Sequence, residues 1–382
     1  MSSSPSRISG TLLQTLGSIA AVVIALLLGA VVIWVSGNSA REAYLALIDG
    51  AFNGRRALAE TLVYSAPLIL GGLAFAVAFR AGMFNIGIEG QLVVGGFAAG
   101  LIAALDLGLP AVLHLPLGLL AAMIAGGVWA GIAGGLKAVF GAHEVISTIM
   151  LNYLAFRLIF YLIQRAEDWL PVQADLQATE RAVAAARLPR LLDGTRLHAG
   201  IIVAVVGALI LWYLLFRTTF GYSVRTVGLS RGAAAYGGIN WRLTITLAMV
   251  ASGMLAGLAG ASESLGLHGR HYAEAPGYGF TSIAVGLVGR NHPLAVVLSG
   301  LLFGALSSGA PSMQADAGVS AEIVQVLQGL VILAVAAFAV MNRLPFFRTR
   351  SRGRAGQPTA MDRASMIGME PEVETRMGPP SI

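Results

Sequence analysis

The chain has 382 residues, of which 56% are hydrophobic and only 12% charged, with a formal net charge of +6 and a mean hydropathy of +0.76. A soluble globule of this length carries about twice that charged fraction, so the composition excludes one and describes an integral membrane protein. The absence of cysteine removes disulfides, thiolate metal sites and cysteine nucleophiles. The excess of Arg sits in loops and in the tail, where it reports orientation.

In chain order, Leu13 to Ser36 is apolar, too long for a signal-peptide core and without a small-x-small cleavage site, and reads as a retained first transmembrane helix. Gly37 to Glu60 mixes Arg41, Arg55 and Arg56 with Glu42, Asp49 and Glu60, the pattern of an exposed or interfacial connection. Further helices are predicted over Thr61–Phe79, up to Leu105, over Pro110–Leu136 and over Glu144–Gln164. The excursion 165–197 holds five Arg, five acids and two Pro and is expected on the extracytoplasmic side. After a helix over Ala199–Phe216, the loop 217–242 has four Arg and no acid, which places it in the cytoplasm by the positive-inside rule. Leu243–Ser262 is another helix. Phe280–Val288 is too short to cross a bilayer alone and suits a half-helix. Pro293–Leu306, extended to Pro311, and Ile323–Met341 complete about ten spans in a permease domain over 1–344. The Arg-rich tail, 345–382, is expected to be disordered and cytoplasmic, and ten spans put both termini on that side.

Polar residues within the apolar bulk are the candidate functional positions. Asn85, Glu89 and Gln91 lie among glycines in the stretch Ala81–Gly100, and Glu144, Thr148 and Asn152 share one helix face at i, i+4 and i+8. An unpaired polar group in hydrocarbon costs several kcal/mol, so these groups either line a water-filled path or join helices. Asn85 and Glu89 share a face only if their segment is helical. Glycines at four-residue spacing, such as Gly127, Gly131 and Gly135, or Gly300 and Gly304, read as helix-packing positions. Each of those two runs leads to a loop and then a Glu-led helix, at Glu144 and Glu322. Five helices separate the copies, which is the arrangement of an inverted five-helix repeat, unless the glycines alone make the match.

Enzymatic chemistry finds no footing. His143-Glu144 begins an HExxH pattern, but Ser147 stands where the second histidine belongs. The chain's single lysine, Lys137, is followed by Ala138 and Val139, so no standard phosphate-binding loop is present. An ATP-driven process therefore needs its ATPase on another chain. Polar groups in an otherwise apolar bundle leave two transport readings: the passive path of an ATP-driven importer, or an ion-coupled secondary transporter using Glu89 and Glu144.

Three segments carry a family resemblance: Asn85-Ile-Gly-Ile-Glu89-Gly90-Gln91; His143-Glu144-Val-Ile-Ser-Thr-Ile-Met-Leu-Asn152-Tyr153; and Arg225-Thr-Val-Gly228 through Ala233-Ala-Ala-Tyr236-Gly-Gly238-Ile-Asn240. Together they resemble the inner-membrane permeases of simple-sugar and nucleoside ABC importers, and in particular the larger permease of nucleoside systems that use a basic-membrane-protein lipoprotein. The chain departs from that pattern at Leu229-Ser230-Arg231-Gly232, where relatives commonly carry Asn or Glu with Pro. The resemblance implies a multi-pass protein of the bacterial inner membrane, paired with a smaller sister permease. It also implies an extracytoplasmic solute-binding lipoprotein and a cytoplasmic ATPase with two nucleotide-binding domains. ATP and Mg would be bound by that ATPase, with no cofactor in this chain. The substrate path is then expected at Asn85, Glu89, Gln91, Glu144, Thr148, Asn152 and Tyr153, and ATPase coupling at Arg225, Gly228, Arg231, Tyr236, Gly238 and Asn240.

Overall fold

The computed structural model describes residues 6–320 and 322–341, so the tail expected to be disordered lies outside the described residues. The regular secondary structure of the described chain is helical apart from one two-residue strand pair. Its helices are α1 (Ser6–Val35), α2 (Ala40–Phe52), α3 (Gly54–Arg80), α4 (Ile88–Ala104), α5 (Ala111–Phe140), α6 (Glu144–Arg165), α7 (Gly200–Arg217), α8 (Thr219–Leu229), α9 (Arg231–Tyr236), α10 (Trp241–Ala261), α11 (Tyr278–Val288), α12 (Pro293–Ala317) and α13 (Glu322–Met341). Six are long and apolar enough to cross a membrane: α3, α5, α6, α7, α12, and α10 with its continuation to His268. Four shorter apolar helices accompany them, over Ala20–Val35, Ile88–Ala104, Tyr278–Val288 and Glu322–Ala334. The chain is therefore an all-α polytopic membrane protein.

Helix α3 is the hub. Nearly every residue from Ala66 to Ala78 is buried, because α7, α10, α11 and α12 pack around it. A helix apolar on all sides is a core helix, and here it supplies the wall to which the others attach. Glycine sets how closely the helices approach. A Cβ on Gly253 would lie 2.1 Å from the Gly126 carbonyl oxygen, and one on Gly257 would lie 2.1 Å from that of Ala122. Helices α5 and α10 therefore cross backbone to backbone, the small-residue packing that replaces a hydrophobic driving force in lipid. Gly300 and Gly304 do the same for α12 against α3, at Ile69 and Ser65. Gly135 meets nothing within 4 Å and has no such role among the described residues.

Three elements differ from expectation. The segment expected as a connection, 37–60, contains α2, started by the Ser39 hydroxyl accepting the Glu42 amide. Its buried residues Ala43, Ala46, Leu47 and Ala51 form one stripe, while Arg41, Glu42 and Asp49 occupy the exposed side. The charges gave the segment its loop-like composition, and the stripe packs it on α12, where Gly309 meets the Leu47 carbonyl. Next, residues 84–86 are not helical, so Asn85 and Glu89 do not share a helix face. Gly82 turns the chain at φ +74° and the Asn85 carboxamide oxygen accepts the Gly87 amide at 2.9 Å, which holds the segment open until α4 begins at Ile88. Third, α10 runs on past the expected end at Ser262 through a π-helical turn, Ser262–His268, in which Glu263 is buried.

The excursion 165–197 is folded onto the bundle. Strands Val172–Gln173 and Ala178–Thr179 pair antiparallel, and Ala178 bridges to Tyr272. Arg196 forms a bidentate ion pair with Glu60 at the start of α3, at 2.9 and 2.5 Å.

Candidate functional site

The polar stretch at the head of α4 forms a closed hydrogen-bonded junction. Asn85 and Gln91 exchange bonds through both carboxamides, at 3.0 and 3.1 Å, and Asn85 also donates to Ser252 at 2.9 Å. Ser252 passes the chain on to the Ala74 carbonyl in α3 at 2.7 Å. From α6, Asn152 accepts the Gly90 amide at 2.8 Å and donates to the Ile86 carbonyl at 3.0 Å, while the Thr148 hydroxyl accepts the Ile86 amide at 3.3 Å. The non-helical backbone at 84–87 thus recovers from side chains the partners that an intact helix would have supplied.

Glu89 faces the other way. Its carboxylate accepts the Gly277 amide at 2.6 Å and also the Gly279 amide, so it caps the head of the short helix α11. Glu144 pairs with Lys137 at 2.8 Å across the α5–α6 turn. Tyr153 is 63% exposed and packs edge-on against Phe156. Of the seven expected path residues, five form or brace the α4 junction, with Glu144 and Tyr153 outside it.

None of the seven lines the polar cavity of the bundle. That cavity, of about 630 Å³, lies between α3, α11, α12 and α13. Its polar side chains are Tyr64, Tyr278, Thr281, Ser307, Gln325 and Gln328, with Phe280 and Phe303 as apolar walls and Pro276–Gly277 at the head of α11. Gln328 donates to the Ser307 hydroxyl at 3.2 Å, which leaves its carbonyl oxygen free to accept. The volume falls in the range of small-molecule sites. Sequence reasoning passed over these residues, although Gln325 and Gln328, three apart on an apolar helix, were a readable signal. The α4 junction and the cavity meet at one place, where Glu89 holds Gly277.

At the opposite end of the bundle, the expected coupling segment folds as α8 and α9. Arg225 and Arg80 both stack on the Phe216 ring, at 5.3 and 5.0 Å. A Cβ at Gly228 would lie 2.0 Å from the Arg80 carbonyl oxygen, so the end of α8 rests directly on the end of α3. Asn240 caps α10 by accepting the Leu243 amide at 3.1 Å, and Gly238 turns the chain at φ +78°. Arg231 lies over Trp241 at 5.4 Å. Leu229 and Tyr236, 89% and 97% exposed, project from the two short helices. Arg225, Gly228, Gly238 and Asn240 therefore build this end, and Leu229 and Tyr236 are its exposed surface, with Arg231 half-buried beside Trp241.

Two histidines near the excursion are buried and held neutral. Burial pushes His198 down to about 4; burial, then the neighbouring His268, pushes His271 down to about 3. His198 accepts the Gly200 amide through Nδ1 at 3.1 Å, and His271 pairs with the Ser264 hydroxyl at 3.0 Å. Glu60 raises Arg196 above the usual guanidinium range.

A multi-helix membrane bundle with a small-molecule cavity, a folded excursion at one end and two short basic helices at the other is the build of a transport permease. The profile described as branched-chain amino acid transport system / permease component matches residues 57–336, and the chain belongs to this family. It is 42% identical to the guanosine ABC transporter permease protein NupP of Bacillus subtilis (strain 168), over 83% of this chain and 91% of the relative. It is 36% identical to the glucose ABC transporter permease protein TsgB13 of Haloferax volcanii, over 82% and 84%. With the nucleoside ABC transporter permease protein NupB of Lactococcus lactis subsp. cremoris the identity is 33%, over 85% and 92%. The chain is thus a multi-pass permease subunit of an ABC transporter, a transport component and not an enzyme.

Proposed function

We propose that this chain, with a smaller sister permease, forms the path of an ATP-driven importer for a nucleoside or simple sugar, and that the cavity between α3, α11, α12 and α13 is its share of that path. The observation that carries the reading is the cavity itself: hydroxyl and carboxamide groups beside aromatic faces, in a volume of about 630 Å³, suit a ribose and a base edge. The nucleoside and guanosine permeases among the relatives support that solute class, and the glucose permease keeps simple sugars within it.

In this reading the expected path residues Asn85, Glu89, Gln91, Thr148 and Asn152 act from behind the wall, fixing the head of α11 at the cavity. An ATPase with two nucleotide-binding domains, carrying ATP and Mg, docks on Leu229, Arg231 and Tyr236, and an extracytoplasmic lipoprotein delivers the solute at the Arg196 end. The ten spans of the bacterial inner membrane in this reading are six long apolar helices and four shorter ones, with α11, too short to cross alone, completed by its flanking segment, and both termini are cytoplasmic. The turns before Glu144 and Glu322 support an inverted repeat, since each follows a glycine in left-handed conformation, Gly141 at φ +68° and Gly318 at φ +64°.

Reconstitution tests the reading. Vesicles holding the assembled permease pair and ATPase, with the lipoprotein on the solute side, should take up labelled guanosine only with ATP and Mg. Uptake by the purified chain without the ATPase, or uptake that collapses with a protonophore while ATP is maintained, would overturn it in favour of an ion-coupled carrier.

A further inference from the structure

We infer that the path admits uncharged solutes and turns anions away, and that Glu89 is the residue that sets this; the inference rests on the cavity being the path. Sixteen described residues line the cavity and none carries a charge. Every polar group that could meet a solute there is a hydroxyl or a carboxamide, which recognises hydroxyls, ring nitrogens and carbonyls but supplies no counter-charge to a phosphate or carboxylate.

The head of α11 is a feature of the wall that could attract an anion, because Pro276, Gly277 and Tyr278 open onto the cavity; the guanidinium that lies against Tyr64, that of Arg196, is already paired with Glu60. The free amides and dipole at such a helix start ordinarily favour negative charge. Here the chain supplies the anion itself. Glu89 takes the Gly277 and Gly279 amides, and it does so from within the protein, only 3% exposed. Gly279 fits so closely that even a Cβ would lie 2.6 Å from the carboxylate. A phosphate entering the cavity would leave water for a neutral wall backed by a carboxylate, with no cation within the lining to offset either. A nucleoside therefore passes and its 5′-monophosphate does not.

The chain's lack of cysteine makes a single-thiol experiment clean. Ser307→Cys places one thiol in the cavity wall, and its labelling by a maleimide is followed in membranes carrying the assembled transporter. Guanosine at ten times its Kd should slow labelling about tenfold by mass action, and guanosine 5′-monophosphate at the same concentration should leave the rate unchanged. In the double variant Ser307→Cys with Glu89→Gln, the monophosphate should also protect. Gln325→Arg, on an exposed position of the lining, should have the same effect by adding a cation without touching the α11 cap. Equal protection by nucleoside and monophosphate in the Ser307→Cys protein overturns the charge filter while leaving the path intact. Continued refusal of the monophosphate by Glu89→Gln, with guanosine protection retained, overturns the role of Glu89. Refusal by Gln325→Arg overturns the neutral lining as the cause. Absence of protection by any nucleoside or sugar overturns the path assignment itself, and the inference with it.

Discussion

The carboxylate of Glu89 accepts the amide of Gly279, a residue 190 positions further along the chain. Through this contact the heads of α4 and α11 are held on one side chain. The backbone that carries Glu89 is in turn stitched to α6 through Asn152 and to α10 and α3 through Ser252. The contact therefore joins a rigid polar junction to the cavity wall.

Glu89→Ala should lower the thermal unfolding midpoint of the detergent-purified protein by several degrees. It leaves the buried Gly279 amide without an acceptor, at about 1–3 kcal/mol, and frees the exposed Gly277 amide to water. Glu89→Gln keeps one acceptor and should lose about half as much, so equal losses in both would show that the cap contributes little.

Asn152→Ala removes both the acceptor for the Gly90 amide and the donor to the Ile86 carbonyl, and leaves a void where Gly90 lies against Asn152. A loss of about 2–4 kcal/mol follows from two orphaned groups. Asn152→Asp retains the acceptor and should fall between Ala and wild type. Transport should decline in both variants, with co-purification of the ATPase unaffected.

Gly228→Ala and Gly232→Ala make a contrasting pair. The first drives a Cβ to 2.0 Å from the Arg80 carbonyl oxygen, whereas the second meets nothing closer than the Ser230 hydroxyl at 4.0 Å. Gly228→Ala should impair folding or coupled transport severely. Gly232→Ala, inside α9, should be neutral or stabilising by up to ~1 kcal/mol through helix propensity.

Tyr236→Ala and Arg231→Glu should abolish co-purification with the ATPase, and Tyr236→Ala should shift the unfolding midpoint little. Tyr236 is 97% exposed, and substitutions at such positions fall within about ±0.5 kcal/mol. A large stability loss at Tyr236 would show that its side chain is buried against something in this chain.

Acid should destabilise the excursion end. His198 and His271 titrate at about 4 and about 3 in the fold against an ordinary 6.5, so below that ordinary value the unfolded chain binds protons that the folded chain refuses. Their stabilising contribution is complete above about pH 6.5 and is lost as pH falls through the window down to the folded values, at about 1.4 kcal/mol per pH unit for each histidine. Unfolding midpoints at about pH 7.5 and about pH 5 should differ accordingly, and His198→Asn should flatten part of the slope.

What the sequence determined by itself was the membrane, the helices and the class of protein. Long apolar runs have one stable form in lipid, and three polar segments in order identified the permease family. The stripe in α2 was present in the sequence as well, at Ala43, Ala46, Leu47 and Ala51, but its meaning depended on a partner helix 250 residues away. Tertiary structure alone decided which polar residues meet. Asn85, Gln91, Thr148 and Asn152 could have lined a path or joined helices, and nothing in their spacing separates the two, because both demand a polar group at that depth. The fold shows where their partners lie: the groups of α4, α6 and α10 satisfy one another, while Tyr64, Ser307, Gln325 and Gln328 come together from distant segments to face the cavity. A hydrogen bond such as that of Glu89 to Gly279 has no local signature, since only the packing of α11 against α4 puts an amide in front of the carboxylate.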